Sequence, residues 1–189
     1  LSVGSCYAGL DPGNPDDRLR EIINDCNPAV IITDSDQVDR AKTLTDVPLI
    51  LVDNEKKGEF VPSEYDPFDD AFIVYTSGST GKPKGVVHTR CNLVSNSDAY
   101  ISGRGLNEDT VLGMFCGLGF VSHATLLYPP VVGGFRLDII PQDVRTDMNS
   151  LSKHVDEEGI TIIDLISSVS RMFFDVHKGR RITVNMGGE

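Results

Sequence analysis

The sequence predicts an α/β fold in which a mostly parallel β-sheet is flanked by helices. Short apolar runs of strand length alternate with helix-like stretches along most of the 189 residues, as expected of βαβ units. Several of these runs are continuously apolar, as in strands that helices cover on both faces. The hydrophobic content of 40% is enough for a packed core and argues against disorder.

Strands are predicted where β-branched and other apolar residues follow one another without helical spacing. The run AFIVYTS at 71–77 is the strongest, and we expect it to be buried on both faces. The acidic segment 64–70 before it is expected to be a solvated linker. In chain order, the predicted strands cover 27–33, 47–53, 71–77, 84–89, 110–116, 135–140, 160–166 and 182–186.

Helices are predicted between these strands. The first is supported by Leu19, Ile22 and Ile23, which fall on one helical face before Pro28 stops the helix. The segment 120–133 is predicted to be helical despite two consecutive prolines. In chain order, the predicted helices cover 18–26, 91–100, 120–133, 148–159 and 168–179.

The composition argues against several classes of function. A formal net charge of −11 disfavours nonspecific binding to nucleic acid or to an anionic membrane, because both need a basic surface. No apolar run approaches the roughly 18 residues of a membrane-spanning helix. The four cysteines form no CxxC or Cys/His cluster, so no metal site is predicted. We expect Cys91 and Cys116 to be small buried hydrophobic residues in a reduced, cytoplasmic protein.

A glycine-rich segment, YTSGSTGKPKG at 75–85, directly follows the predicted strand 71–77. Loops that follow parallel strands lie at the carboxyl edge of the sheet, where open α/β sheets bind ligands. Glycines let backbone N–H groups approach an anion, hydroxyls add donors, and lysines add positive charge. The residues predicted to cradle a phosphate chain are Thr76, Ser77, Gly78, Ser79, Thr80, Gly81, Lys82, Lys84 and Gly85.

The local charge pattern supports a polyanionic ligand for this segment. No acidic residue occurs between Ala71 and Ser97, whereas Lys82, Lys84 and Arg90 are basic. An otherwise acidic protein therefore offers a nucleotide such as ATP a local basic site.

The spacing of the segment fits neither of the two common phosphate-binding loops. A Walker A loop needs a Ser or Thr after its lysine, but Pro83 follows Lys82. A dinucleotide-binding loop opens a helix, but the strand-like GVVHT at 85–89 follows here. A simple surface turn is the remaining alternative, and it does not account for so many small and hydroxyl residues after a buried strand.

The segment YTSGSTGKPKGVV at 75–87 resembles the signature loop of the adenylate-forming superfamily, which includes acyl-CoA synthetases, luciferases and the adenylation domains of nonribosomal peptide synthetases. The stretch LDPGNPDDRLREIINDCNPAVIITD at 10–34 resembles a second segment of the peptide-synthetase adenylation domains. The residues Gly187, Gly188 and Glu189 resemble the glycine pair before the adenine pocket. The three stretches occur in the family's order and extend over nearly the whole chain.

This resemblance implies a two-step ligase that forms an acyl-adenylate from ATP and a carboxylic acid. The acyl group then passes to a thiol of coenzyme A or of the phosphopantetheine on a carrier-protein domain. By the same resemblance, Ser79, Thr80, Gly81 and Lys84 would hold the β- and γ-phosphates and stabilise the departing pyrophosphate, with Thr80 and Lys84 as the catalytic residues.

The chain departs from the family pattern in ways that bear on the substrate. Amino-acid-activating domains carry a Phe-Asp pair whose Asp neutralises the α-ammonium group, but Val121 follows Phe120 here. A buried α-ammonium facing valine would be an uncompensated charge, so we expect an acid without an α-amine. By the same alignment the acid pocket comprises Phe120, Val121, Ala124, Thr125, Val184 and Met186. For Ala124, Thr125, Val184 and Met186, an ordinary core position is an alternative at least as good for each residue taken singly.

Other essential pieces of the family follow the GGE segment, including the Mg²⁺ ligand, a ribose-binding Asp and a small C-terminal domain. We therefore expect 1–189 to be a fragment of the large N-terminal domain, inactive alone, without the family's beginning and C-terminal subdomain. A free-standing acyl-CoA or aryl-CoA ligase and a catalytically silent binding or interaction module remain alternatives. The sequence does not distinguish the acid, the acceptor or the oligomeric state.

Four histidines are expected to be structural or solvated. His88 and His123 are expected to make structural contacts, although either could line a site. His154 and His177 lie in polar helical stretches and are expected to be solvated.

Overall fold

The computed structural model describes residues 4–53, 61, 63–64, 66–77, 82–120 and 122–187, with the side chain of Ser77 excepted. By their internal contacts these residues divide into two compact units. The first unit comprises residues 1–91 and 118–120, and the second comprises 92–117 and 121–189.

The first unit contains a three-stranded sheet in the order β1-β4-β5 and a two-stranded sheet, β2-β3. Strand β1 pairs parallel with β4, β4 pairs antiparallel with β5, and β2 pairs parallel with β3. The elements are β1 Tyr7–Ala8, α1 Asp16–Cys26, β2 Ile31–Thr33, α2 Val38–Leu44, β3 Leu49–Leu51, β4 Asp70–Ser77 and β5 Pro83–Thr89.

Helix α1 forms because its apolar residues share one face and its ends are compatible with a helix. Leu19, Ile22 and Ile23 are all buried, as the sequence predicts. Acidic residues occupy its first turn, where they interact favourably with the helix dipole. Asn27 closes the helix in the left-handed conformation (φ 42°), and its N–H donates to the Ile23 carbonyl at 3.0 Å.

Strand β4 is only partly buried, so the expectation of burial on both faces is wrong for Tyr75 and Thr76 near its end. Ala71, Phe72 and Val74 are buried, whereas Tyr75 is half-buried and Thr76 is exposed. Strand β1 pairs with β4 only at Phe72 and Ile73, so beyond Ile73 the antiparallel β5 is the one described strand that pairs with β4. The glycine-rich segment does not follow a strand embedded between parallel neighbours.

The second unit is a parallel four-stranded sheet in the order β7-β6-β8-β9, with helices between its strands. Helix α3 begins at the last residues of the first unit and continues in the second. The elements are α3 Arg90–Arg104, β6 Val111–Met114, α4 Ser122–Gly133, β7 Arg136–Ile139, α5 Gln142–Arg145, α6 Met148–Glu157, β8 Ile162–Leu165, α7 Ser167–Val176 and β9 Thr183–Met186.

Two apolar clusters fill the second unit. Phe173 of α7 is fully buried in the first cluster with Leu151 and Val155 of α6. Its other members are Ile140, Ile160, Ile163 and Leu165. The second cluster comprises Tyr100, Leu112, Met114, Leu126, Phe135 and Ile162. Burial of these residues supplies the main driving force for the fold of this unit.

Helix α4 continues through Pro129 and Pro130, as predicted. Both prolines are buried inside the helix. The helix ends at a glycine, and Gly134 follows in the left-handed conformation (φ 70°), from which its N–H donates to the Pro130 carbonyl at 2.9 Å.

The expectations for two histidines and one cysteine are wrong. His154 Nε2 lies 2.8 Å from Asp138 Oδ1, and His177 Nδ1 lies 2.8 Å from Ser152 Oγ, so neither is merely solvated. Cys91, the second residue of α3, is exposed and not buried as expected. Cys116 is partly buried, and burial is the main cause that raises the pKa of its thiol.

The other two histidines are buried or packed. His88 stacks on Phe72 with ring centroids 4.6 Å apart, which confirms a structural contact. His123 is 1% exposed on α4.

Candidate functional site

The glycine-rich segment joins β4 and β5, and its flanking residues define what we call the hairpin base: Tyr75, Thr76, Lys84 and Gly85. Tyr75 is opposite Gly85 and Thr76 is opposite Lys84 in the antiparallel register. Thr76 Oγ1 also lies 3.5 Å from the Lys84 carbonyl oxygen. The backbone of Ser77 pairs with Pro83. The structure therefore fixes both strands up to the segment that the sequence predicts to bind phosphate.

Lys82 and Lys84 both have exposed side chains. Neither forms an ion pair with a carboxylate of the residues that the structure describes. By contrast, Lys42 pairs with Asp39 at 2.9 Å and Lys153 pairs with Glu157 at 3.5 Å. The two hairpin lysines thus offer positive charge that described acidic groups do not neutralise, as an anion site requires.

Gly85 has a packing role that the sequence did not reveal. A Cβ atom at this position would lie 3.0 Å from Ile73 Cγ2 and 3.2 Å from Tyr75 Cζ. The absence of a side chain therefore lets the Tyr75 ring lie across the neighbouring strand. This contact accounts for the glycine without a phosphate.

Helix α1 is hydrogen-bonded to the hairpin base at two consecutive residues of β4. The Tyr75 hydroxyl donates to Asp25 Oδ2 at 2.7 Å, and Arg18 Nη2 donates to the Thr76 carbonyl at 3.3 Å. Burial raises the pKa of Tyr75 well above its usual range, and the bond to Asp25 adds to this shift. The hydroxyl therefore stays protonated and keeps its role as donor. Neither contact was predicted from the sequence.

The segment that precedes α1 is fixed by one arginine. Arg40 donates from Nε to Asp16 Oδ1 at 2.9 Å, and from its other nitrogens to the Pro12 and Asn14 carbonyls at 2.5 and 2.7 Å. Asp11 Oδ1 accepts the Gly13 N–H at 2.8 Å within the same segment. The LDPGNPDD stretch is thus an ordered support for α1.

The predicted acid-pocket residues lie on several elements. In the first unit, Phe120 is 61% exposed. In the second unit, Ala124 is buried on α4 and Thr125 is partly buried beside it. On β9, Val184 packs against the cluster around Phe173, whereas Met186 is 65% exposed. Val184 therefore has at least one structural role that needs no ligand.

Between Val184 and Met186, Asn185 belongs to a polar network that the sequence did not predict. Asn185 Nδ2 donates to Asp164 Oδ1 at 2.6 Å, and the Tyr100 hydroxyl donates to the same oxygen at 2.9 Å. The Arg104 guanidinium lies 3.9 Å from the centroid of the Tyr100 ring. The network joins α3, β8 and β9 and so fixes the strand that carries the two predicted pocket residues.

Several predicted site residues lie outside the described residues. They are Gly78, Ser79, Thr80, Gly81, Val121, Gly188 and Glu189. Gly187 is described, and its N–H donates to the Leu165 carbonyl at 3.3 Å.

The described residues contain no group of three or more His, Cys, Asp or Glu side chains that could hold a metal ion. Across the same residues, every helix is too short or too polar to cross a membrane.

Comparison with known sequences identifies the fold family. The pattern of one family, described as AMP-binding enzyme, matches residues 1–186. The chain belongs to the AMP-binding enzyme family. Its similar relatives include bacitracin synthase 1 of Bacillus licheniformis, at 28% identity over 94% of the chain, and nonribosomal peptide synthetase acrB of Aspergillus aculeatus, at 34% over 88%. The chain spans only 3% and 11% of the lengths of these two relatives.

Several solved structures share the fold of this chain. A four-domain nonribosomal peptide synthetase, holo-AB3403 bound to AMP and glycine, matches all of the chain with a TM-score of 0.86 and 23% identity, over 14% of its own length. The O-succinylbenzoate coenzyme A synthetase MenE of Bacillus subtilis, in complex with AMP, matches all of the chain with a TM-score of 0.83 and 20% identity, over 56% of its own length. The mixed α/β fold is therefore that of the N-terminal domain of adenylate-forming enzymes, as predicted.

Proposed function

We propose that the full-length protein is an AMP-forming ligase that activates a carboxylic acid and transfers it to a thiol. The carboxylate oxygen attacks the α-phosphorus of ATP, a P–O bond forms, and pyrophosphate leaves. The thiol then attacks the carbonyl of the acyl-adenylate, AMP leaves, and a thioester remains. Adenylation is needed because a free carboxylate is a poor electrophile.

The observation that carries this proposal is the hairpin base with its two exposed lysines. The chain belongs to a family described as AMP-binding enzyme. Lys84 on β5 and Lys82, just before that strand, are exposed and have no described carboxylate partner. The segment between the strands contributes glycine and hydroxyl residues, and this donor set suits the β- and γ-phosphates of a nucleotide. Lys84 would counter the negative charge that develops on pyrophosphate as it leaves.

The test is acid-dependent exchange of pyrophosphate into ATP by the full-length protein. Lys84→Ala is expected to lower the exchange rate by about 10²–10³-fold, the typical cost of removing one donor that stabilises developing charge. Lys42→Ala is the matched control, because Lys42 is also exposed but is paired with Asp39. Equal exchange by the parent and Lys84→Ala would refute the role of the hairpin. Absence of exchange with every acid in the parent would favour a catalytically silent binding module.

We propose further that the acid lacks an α-amine. The sequence pair Phe120-Val121 supports this proposal. By the resemblance, amino-acid-activating domains have Asp at the position where this chain has Val121. Without that carboxylate, a buried α-ammonium would remain uncompensated. The exchange assay with aryl, 2-keto, 2-hydroxy and fatty acids against α-amino acids tests this proposal. Val121→Asp is expected to lower exchange with the preferred acid, and preferential exchange with an α-amino acid by the unchanged protein would refute the proposal.

The setting is proposed to be a reducing cytoplasm, with which the four free cysteines of the described residues are compatible.

The acceptor is proposed to be the phosphopantetheine thiol of a carrier domain. The similarity to peptide synthetases favours the carrier. A free-standing acyl-CoA or aryl-CoA ligase is the second candidate, because a coenzyme A synthetase has the same fold. Thioester formation with free coenzyme A, measured against a phosphopantetheinylated carrier, distinguishes the two. When bound with ATP, Mg²⁺ would neutralise phosphate charge, and we expect its ligand outside residues 1–189.

A further inference from the structure

We propose that Arg18 and the Tyr75–Asp25 pair are positioning residues that hold the hairpin base in the geometry needed to bind the phosphates of ATP. This inference rests on the proposed function. None of the three residues belongs to the predicted phosphate-binding set, and each acts through the backbone or the ring that it holds. All of the contacts lie within the first unit.

The spacing on α1 places both of its contributing residues on one face. Arg18 and Asp25 are seven residues apart, which is about two helical turns and about 10 Å along the axis. Ile22 lies between them on the same face and is 3% exposed. A buried apolar residue therefore anchors the helix, while a polar residue on each side of it contacts β4.

The contacts continue from α1 to the lysine strand. Arg18 donates to the carbonyl of Thr76, and the hydroxyl of Thr76 lies 3.5 Å from the carbonyl of Lys84. One residue earlier, Tyr75 donates to Asp25, and its ring occupies the space that Gly85 leaves open. Both cross-strand pairs of the hairpin base are therefore linked to α1.

Positioning matters here because the intervening segment is rich in glycine. Glycine has a larger conformational freedom than other residues, so ordering it around a ligand costs more entropy. Fixing the strands on both sides in advance lowers that cost, which is the general effect of preorganisation on affinity. The bonds to α1 should thus appear mainly in the affinity for ATP.

The test uses the full-length protein and begins with Tyr75→Phe, which removes one hydroxyl and no charge. The KM for ATP is expected to rise by about 2- to 10-fold, the equivalent of one net hydrogen bond. The kcat and the KM for the acid should change by less than about twofold, the expectation for an interaction lost equally from the ground and transition states. Asp25→Asn keeps an acceptor oxygen, so its KM for ATP should remain close to that of the parent. Asp25→Leu should raise the KM for ATP as much as Tyr75→Phe does, and the double variant should raise it no further.

Arg18 is tested against a matched arginine on the same helix. Arg20 pairs with Asp17 and donates to the Thr43 carbonyl at 3.3 Å, away from the hairpin. Arg18→Gln should raise the KM for ATP, Arg18→Lys should recover part of the loss, and Arg20→Gln should leave this KM unchanged. Binding of a non-hydrolysable ATP analogue, measured by calorimetry, should follow the same order.

Three outcomes separate this inference from the function on which it rests. If Lys84→Ala abolishes exchange but Tyr75→Phe and Arg18→Gln leave the affinity for ATP unchanged, the positioning role is refuted and the proposed function stands. If these two variants lower the melting temperature with no change in KM, the contacts are only structural and the inference is again refuted. If the parent shows no exchange with any acid, the proposed function fails, and if Lys84→Ala exchanges as fast as the parent, the role of the hairpin in binding phosphate is refuted.

Discussion

The hairpin base of the first unit and the apolar cluster around Phe173 in the second are held together by different forces. The hairpin base is exposed or half-buried and depends on hydrogen bonds such as Tyr75 to Asp25. The Phe173 cluster consists of fully or nearly fully buried apolar residues. Exposed hydrogen bonds contribute little net stability, whereas apolar burial contributes much. Changes in the hairpin should therefore alter ligand binding, and changes in the cluster should alter folding.

The largest stability effect is expected at Phe173. Phe173→Ala should lower the free energy of unfolding by about 3–5 kcal/mol, because it removes a fully buried ring and leaves a cavity. The adjacent Phe174 is 50% exposed, so Phe174→Ala is the control and should cost clearly less. Denaturant unfolding measures both variants. Equal decreases in the free energy of unfolding for the two variants would contradict the contrast between the cluster and the surface of α7.

Gly9 tests the limits of this comparison, because the backbone around this residue of the first unit is tightly packed. A Cβ at Gly9 would lie 2.1 Å from the Leu118 carbonyl oxygen, a backbone atom that cannot move alone. Gly9→Ala should destabilise the protein by about 1–3 kcal/mol. Gly103 on α3 has no heavy atom within 4 Å of its Cβ position. Gly103→Ala should therefore leave the melting temperature unchanged or raise it. If Gly103→Ala and Gly9→Ala lower the stability equally, the packing argument is contradicted.

The Tyr100 network sharpens the comparison, because it is a polar contact inside the apolar unit. Tyr100→Phe should lower the free energy of unfolding by about 1 kcal/mol, because Asp164 loses one of the two hydrogen-bond donors described above. Burial, followed by the charge of Asp164, raises the pKa of Tyr100 above its usual range. A folded-state pKa above the unfolded value of about 10 gives stability that is full below that pH and is lost as the pH rises further. The difference in the free energy of unfolding between the parent and Tyr100→Phe should therefore narrow above about pH 10. Unfolding measured over a range of pH tests this, and a difference that stays constant would contradict this account.

The smallest effect is expected at the start of α6. Asp147 caps this helix by accepting from the Ser150 N–H at 2.8 Å and from the Ser150 hydroxyl at 2.7 Å. These bonds lower the pKa of Asp147. A lowered pKa gives stability that is present above the unfolded value of about 3.9 and is lost as the pH falls through the folded pKa. Asp147→Ala should thus lower the melting temperature at neutral pH and differ less from the parent in acid. Asp147→Asn, which can still cap, is the control.

Local patterns allowed the sequence to predict most of the elements. Apolar periodicity predicted α1 through Leu19, Ile22 and Ile23. Continuous apolar runs predicted strands β2 to β9. Helix α2 was missed because none of its residues is buried, so it carries no apolar stripe. The short α5 and the two-residue β1 likewise offer too few residues for a periodic signal.

The contacts around the site were harder to predict, because they join residues far apart in the chain. Tyr75 and Asp25 are 50 residues apart, and Arg18 and Thr76 are 58 apart. His154 was expected to be solvated because its helical neighbours are polar, but its partner Asp138 comes from β7. The lysines and the glycine-rich segment could be singled out from the sequence because their chemistry is contained in one short stretch, and their role in binding phosphate stays a prediction.

The most direct test of the account compares the binding of ATP with that of AMP to Lys84→Ala in the full-length protein. AMP lacks the β- and γ-phosphates that the hairpin is proposed to hold. Calorimetry should therefore find weaker binding of ATP by Lys84→Ala and unchanged binding of AMP. Unchanged binding of ATP, or an equal loss for both nucleotides, would contradict the claim that this hairpin holds the phosphate chain.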